Sequence, residues 1–559
     1  MRILIALAAA AVLAPTASAG ADTPPPGSTW TQAYITEADG TRLHADVLRP
    51  ADLPADARTP VILSIGPYFN HSGQTGPAGP IEDTPYTPTG AAGPSARFYD
   101  FINGAHLMER GYTWVQVDLR GFGGSSGCLD WGGPGEQSDV KAAVEWAAKQ
   151  PWSTGKVGMY GKSYDGVTGL IGIAKQPAGL AAVVSQEPVY DLYRYLYTNR
   201  VRFTNSLLTP VLYDAIAATP GTTGDTLAYN ANSLNSPDCL ALNWLSQQSD
   251  DHDAAYWRAR DLIAATRGKS TPLFLTQGFI ENNTKPDGTW DLYNGLTGPK
   301  RAWFGMWDHV RGNDTDASGR LLMGRPGWFD EVMRFFDRHV KGEPTAADPA
   351  NAVQTSDGTW RAESSWPPSD STPVATALNP GTYTDDGQNN GTGSGSGTGI
   401  WTVSPPLAAP AHLAGVPRVT VDVAKAPRTA NLVVDVYDLD AGGNAILISR
   451  GATLLNGAGA TTIDLYGDDW KLAAGHRVGA LITGANAEWW AHVPTLQPVT
   501  IRGARIDLPY LRCARGADLD GGPSVKLEDY RASAPFAVPA ATIAAAQRSD
   551  FDVPATVAC

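Results

Sequence analysis

The chain has 559 residues, 43% of them hydrophobic and 18% charged, with a formal net charge of -14. That much apolar material fills more than one core, so two or three domains are expected. The acidic balance excludes binding to a nucleic-acid backbone, which needs clustered Lys and Arg.

In chain order, "MRILIALAAAAVLAPTASAG" supplies a basic Arg2, an apolar run from Ile3 to Leu13 and a small-residue site at Ala17-Ser18-Ala19. This predicts a signal peptide over residues 1–19 and a secreted protein. The run is about half of the ~20 residues a membrane span requires, so no membrane association is expected after cleavage. "TQAYITEADGTRLHADVLRP" alternates apolar and polar residues around Asp39-Gly40 and predicts a hairpin. The near-continuous apolar runs "PVILSIG", "YTWVQVDLRG", "KVGMYG", "LAAVVSQEP", "PLFLTQG" and "RAWFGMW" predict strands buried on both faces. With the helical "SDVKAAVEWAAKQ" and "WFDEVMRFFDRHVKG" between and after them, they imply a parallel α/β sheet over residues 20–187 and 270–350.

Residues 188–269 change to aromatic-rich, helix-like stretches such as "YDLYRYLYTNRVRFTNSLL", expected to form a helical cap insertion that excludes water from a cleft. From 351 to 559 short β-rich runs broken by Gly, Asp and Asn predict an all-β sandwich or jelly roll, with the Gly/Ser-rich 387–399 as a surface loop. "DLDAGG" from Asp438 fails as a calcium loop, because its twelfth position is Ser449, and is taken as a hairpin turn. In an oxidising compartment Cys128, Cys239, Cys513 and Cys559 would form disulfides. Four cysteines allow three pairings. The pairing taken is Cys128 with Cys239 and Cys513 with Cys559. Their wide spacing carries no thiol-metal or redox signature, and no metal or cofactor is expected.

Two serines compete as nucleophile. "GGSSG", Gly123 to Gly127, fits G-x-S-x-G letter for letter, whereas Ser163 in "VGMYGKSYDGVTGL" has Asp165 where the pattern wants glycine. Ser163, however, stands between a strand and a segment with helical apolar spacing, as a nucleophile elbow requires, and Ser125 is followed by "SGCLDWGGPG", which cannot be a helix. Gly161 and Gly166 still flank the turn. Such a serine needs a base oriented by an acid, in chain order Ser, acid, His. His44, His71 and His106 come too early, His252 falls in the cap, His339 in a helix, and His412, His476 and His492 in the β domain. His309, ending "RAWFGMWDH", remains. Glu281, just past "PLFLTQG", is the chosen acid over its rivals Asp287 and Asp308.

These motifs resemble the CocE/NonD family of cocaine esterases and X-prolyl dipeptidyl peptidases. Its G-x-S-Y-x-G matches "GKSYDG", and its D-x-R-G-x-G-x-S-x-G matches "DLRGFGGSSG" from Asp118, which makes Ser125 part of a structural loop. The resemblance covers nearly the whole mature chain and implies an α/β-hydrolase catalytic domain, a helical cap and a C-terminal jelly-roll domain. It further implies an oxyanion hole made by the Tyr68 hydroxyl, in "IGPYFN", and the Tyr164 backbone N–H. The family's G-x-x-D appears here as Gly278-Phe279-Ile280-Glu281, a departure at the acid.

The expected function is a secreted serine hydrolase acting through an acyl-enzyme and releasing N-terminal Xaa-Pro dipeptides, with a peptide or a small ester or amide as its partner. An esterase or acylase for bulky acids is the alternative, and a homodimer is compatible with either. Asp165, Glu187, Asp191, Asp250, Asp251 and Asp253 are candidates for holding a peptide's free amine. A reading of another class is an exported carbohydrate- or cell-wall-binding protein with an inactive hydrolase domain, in which exposed Trp489 and Trp490 stack on sugar.

Overall fold

The computed structural model describes residues 23–54, 56–72, 91–207, 209–232, 238–388, 399–533 and 536–559. The expected signal peptide, and all but three residues of the 387–399 loop, lie outside the described residues.

The hairpin forms as predicted, from β1 (Ser28–Thr36) and β2 (Arg42–Pro50), closed by the Glu37 N–H donating to the Thr41 carbonyl. It edges a sheet built on β3 (Thr59–Gly66), β4 (Thr113–Asp118), β5 (Ser153–Lys162) and β6 (Leu180–Gln186). The sheet continues, after the short cap strands β7 (Tyr197–Thr198) and β8 (Val201–Phe203), with β9 (Leu273–Gly278) and β10 (Lys300–Gly305). The order is β1-β2-β4-β3-β5-β6-β9-β10, followed by β11 (Asn351–Gln354) and β12 (Trp360–Glu363). Pairing is parallel from β4 through β11. All six residues of β4 are buried, the mark of a strand covered by helices on both faces. Those covers include α1 (Tyr99–Gly104), α2 (Pro134–Lys149) and α3 (Tyr164–Lys175). This is an α/β-hydrolase sheet. Its last two strands fall in the stretch assigned from sequence to the β domain, because their apolar runs are too short to distinguish from sandwich strands.

Past Glu363 the periodicity of burial changes. In Arg418–Lys425 buried and less buried positions alternate, as in a strand with one face on a core. Seven strands in one sheet and five in another form the C-terminal all-β domain. Val419 and Val421 of one sheet and Leu432 and Val434 of the other are buried in one shared core.

The cap contains short helices, the longest being Thr209–Ala217 and Asp238–Ser246. One stretch departs from the helix-like reading. "YTNRVRF" forms the β7/β8 hairpin, turning on Asn199 and Arg200 at positive φ, and β8 pairs with Trp490–Ala491 of the β domain. The partner strand decides the outcome there, since a two-residue strand has little stability of its own. Trp489 and Trp490 are consequently buried, at 6% and 1% exposure, against Phe203 and Tyr466. They offer no platform for a sugar. Disulfides join Cys128 to Cys239, with Cα atoms 5.7 Å apart, and Cys513 to Cys559, 5.4 Å apart. The first ties the loop after β4 to the cap.

Candidate active site

Ser163 sits at the corner between β5 and α3 with φ 63° and ψ -126°, a conformation costly for a residue with a side chain. Its N–H donates to the Gln186 carbonyl of neighbouring β6 at 2.9 Å, which fixes the turn. The close approach explains the flanking glycines. A Cβ on Gly161 would strike the Asp165 backbone, and one on Gly166 would lie 3.0 Å from the Gln186 carbonyl and the Ser185 hydroxyl. Asp165, the residue that breaks the short motif, lies against Gly66 of β3, where a Cβ would collide with its carboxylate. The space the motif usually obtains from a glycine after the serine comes here from a glycine on the next strand.

Ser125 is elsewhere in the chemistry. Its buried hydroxyl donates to the Asp118 carbonyl at 2.7 Å and accepts from the His44 N–H at 2.8 Å, so it pins the loop after β4.

His309 follows β10 and Glu281 follows β9, on the same carboxyl edge of the sheet as Ser163 after β5. His309 Nδ1 lies 2.8 Å from Glu281 Oε2. Glu281 is fully buried, and its Oε1 accepts the N–H groups of Asn283 at 2.5 Å and Thr284 at 3.1 Å. Burial pushes the Glu281 carboxyl up, but the His309 ring and these N–H groups outweigh it and hold the carboxyl below its usual range. For His309 burial comes first and the Lys162 ammonium second, and together they depress the imidazole below its ordinary 6.5 despite Glu281. The rival acids are engaged elsewhere. Asp287 pairs with Arg194 at 3.0 Å, and Asp308 pairs with Lys526 at 3.2 Å.

Tyr68 lies just past β3, buried, with its hydroxyl in hydrogen bonds with Tyr213 and Ser163. Burial raises its pKa to about 12, so it stays a neutral donor. The Arg97 guanidinium stacks 4.0 Å above its ring and donates through Nε to Asp165 at 2.6 Å. Tyr164 opens α3, where backbone N–H groups have no intrahelical acceptor.

Beside Ser163 is a small hollow lined by Trp131, Tyr164, Val167, Leu192, Tyr195 and Tyr213, with about 10 Å³ of free space. The Trp131 indole N–H is buried without a partner. None of the acidic residues considered for amine binding lines this hollow. Asp165 is bonded to Arg97, and Asp191 caps a helix and pairs with His252. Glu187 accepts from Thr276, Gly278 and Trp307. Burial, followed by the Glu281 charge, raises the Glu187 carboxyl to about 8, so it is mostly protonated at neutral pH. Sequence reasoning missed Arg97, Lys162, Trp131 and Tyr213. Only Lys162 carried a signal, as the neighbour of Ser163.

Residues 39–311 match the model of the X-Pro dipeptidyl-peptidase (S15 family), and residues 344–507 match the X-Pro dipeptidyl-peptidase C-terminal non-catalytic domain. The chain belongs to the X-Pro dipeptidyl-peptidase family. It is 26% identical over 451 residues to a "Putative Xaa-Pro dipeptidyl-peptidase" of Streptomyces avermitilis, covering 71% of this chain and 61% of that one. To the cocaine esterase of Rhodococcus sp. it is 25% identical over 369 residues, 59% of this chain and 58% of that one. A CocE/NonD family hydrolase from Staphylococcus aureus shares its fold, with a TM-score of 0.67 at 16% identity, covering 86% of this chain and 94% of that one. The chain spans 61% of the length of the first of these relatives, and it carries both parts that the family models describe, an S15-type α/β-hydrolase domain and a C-terminal β domain.

Proposed function

We propose that the protein cleaves after a prolyl residue near a peptide N-terminus by acyl transfer to Ser163. His309 takes the hydroxyl proton and returns it to the leaving amine, and Glu281 holds the ring and stabilises the imidazolium. Tyr68 and the Tyr164 N–H stabilise the oxyanion. The observation that carries this reading is the aromatic hollow beside Ser163. Its apolar, aromatic lining suits a small ring on the acyl side, which would enter by widening the hollow from its present room for about one water, and the unpartnered Trp131 N–H offers a donor to a peptide carbonyl of the same substrate. Glycyl-prolyl and alanyl-prolyl p-nitroanilides should be turned over, with all activity and all fluorophosphonate labelling lost in Ser163→Ala. Labelling without prolyl amidase activity would end the peptidase reading.

Ester hydrolysis is the second reading. It is favoured by the carboxylates Asp165 and Glu187 being engaged, the first by Arg97 and the second by Thr276, Gly278 and Trp307, rather than open to a peptide's free amine. Short acyl esters turned over far faster than either prolyl amide would select it.

Export after cleavage at residue 19 belongs to the same proposal and is supported by two disulfides, which persist in oxidising compartments. The secreted protein should begin at Gly20 on N-terminal sequencing.

A further inference from the structure

His44 and Asp46 alternate on β2, so both point to the same face. Asp46 is flanked by its cross-strand partners Gln32 on β1 and Gln116 on β4. His71 reaches the same place from the loop after β3, three residues beyond Tyr68. One donor atom from each of His44, Asp46 and His71 lies within 4.8 Å of the others, and all three residues are buried.

Both rings have a carboxylate on the outer nitrogen. His44 Nδ1 is 3.1 Å from Asp118 Oδ2, and His71 Nδ1 is 2.6 Å from Asp225 Oδ1. A neutral imidazole has one N–H. On the inner side each Nε2 faces oxygen atoms. Against the effect of burial, the Asp46 and then the Asp225 carboxylate raise the His71 imidazole to about 10, so a cation binding here would take the place of its inner proton. His71 Nε2 is 3.1 Å from Asp46 Oδ2, and His44 Nε2 is 3.0 Å from Gln32 Oε1 and 3.9 Å from Asp46 Oδ1. Two ring nitrogens, a carboxylate and an amide oxygen therefore converge on one buried point, the donor types a cation of the zinc class takes.

We propose that this cluster binds a divalent cation of the zinc class through His44 Nε2, His71 Nε2 and an Asp46 oxygen, with Gln32 Oε1 as the fourth donor. Donors at about 2.0–2.1 Å in a tetrahedron stand about 3.4 Å from one another; His44 Nε2 to Gln32 Oε1 at 3.0 Å and His71 Nε2 to Asp46 Oδ2 at 3.1 Å are close to that spacing, while His44 Nε2 is 3.9 Å from the other Asp46 oxygen. Two imidazoles on one such ion have centroids about 5 Å apart, and those of His44 and His71 are 5.1 Å apart. Carboxylates behind ligating histidines fix the tautomer and ring direction, which is the role Asp118 and Asp225 have here. The Asp46 carboxylate is held in turn by donation from Trp30 Nε1 at 2.7 Å and Gln116 Nε2 at 3.1 Å. The ion would take no part in the reaction. It would clamp the loop carrying Tyr68 to β2 on one side and, through Asp225, to the cap on the other.

Purified full-length protein, equilibrated with zinc chloride and desalted, should retain about one zinc per chain by mass spectrometry. Cobalt(II) chloride should give the intense visible absorption of a tetrahedral ion, and dipicolinate should lower Tm. The Asp46→Asn and His71→Gln variants should lose the metal and the cobalt spectrum. Ser163 labelling by a fluorophosphonate reports whether they remain folded. Should both variants fail to fold, zinc stoichiometry and the cobalt spectrum of the wild type still decide. Substoichiometric zinc without a tetrahedral cobalt band, or full zinc content in a folded Asp46→Asn/His71→Gln protein, would overturn the proposal in favour of buried imidazolium–carboxylate pairs.

Discussion

Lys162 precedes Ser163, is almost wholly buried, and is the largest charge acting against protonation of His309. Its own ammonium is pushed down to about 8, by burial first and then by Arg311 and Arg97, so it remains charged throughout the acid range. A base works only when neutral. The acid limb of kcat/KM should therefore have its midpoint below 6.5, where a free imidazole titrates. Removing the positive charge favours imidazolium, so in Lys162→Met the midpoint should move upward toward 6.5; a pH–rate profile that does not move, or moves down, refutes this coupling. Tyr68→Phe tests the oxyanion donor. It should lower kcat by about 10²–10³-fold with a much smaller change in KM, as expected for a bond strengthened in the transition state. Ser163, His309 and Glu281 could be singled out from sequence because each follows a recognisable apolar strand, and the fold sets all three on one edge of the sheet, with His309 Nδ1 2.8 Å from Glu281. Arg97 could not be, because nothing in its neighbourhood announces that a chain turn will lay its guanidinium over Tyr68.

At the scale of elements, the elbow shows why a motif can be misspelled and still fold. The turn from β5 into α3 requires that several backbones and one side chain share a confined space, and the sequence meets that requirement at Gly161, Gly166 and Gly66 together. The first two lie beside the serine and are readable there. Gly66 lies 97 positions earlier on β3, and its role appears only when β3 and β5 pair. Gly66→Ala should force the Asp165 carboxylate away from Arg97, lowering stability by about 1–3 kcal/mol as overpacked sites do and reducing kcat through Tyr68. Adding Asp165→Gly to Gly66→Ala should recover part of the lost Tm, because the two changes share one contact and are not additive. Strict additivity in thermal melts would show that Gly66 is not the space Asp165 needs. The β7/β8 hairpin marks the opposite limit, since its aromatic-rich sequence suits a helix as well as a strand and a distant β-domain strand makes the choice. The same holds for His44 and His71, whose relation depends on three paired strands rather than on spacing.

Across the whole molecule, the β domain is joined to catalysis through the cap. Trp490 packs on Phe203 with ring centroids 6.0 Å apart, and its strand completes the sheet of β7 and β8. Phe203 in turn has Lys285 Nζ 4.3 Å from its ring, and that nitrogen donates to the Tyr195 carbonyl at 2.9 Å and Asn205 Oδ1 at 2.8 Å. Lys285 closes the segment that begins at Glu281, so the carboxylate that meets His309 Nδ1 at 2.8 Å is anchored, three contacts removed, on a tryptophan of another domain. Trp490→Ala removes a large buried ring and should cost about 3–5 kcal/mol, at the scale of other large-to-small core changes. The loss should not stop at stability. With Phe203 no longer supported, the Glu281–Lys285 segment gains freedom, and kcat should fall while fluorophosphonate still labels Ser163 at temperatures below the melt. The cap, between residues 209 and 246, should also become the first site of cleavage in limited proteolysis, because local opening follows the elements with the fewest remaining buried contacts. A variant with lower Tm but wild-type kcat and an unchanged proteolysis pattern would show that the β domain stabilises the chain without reaching its active site.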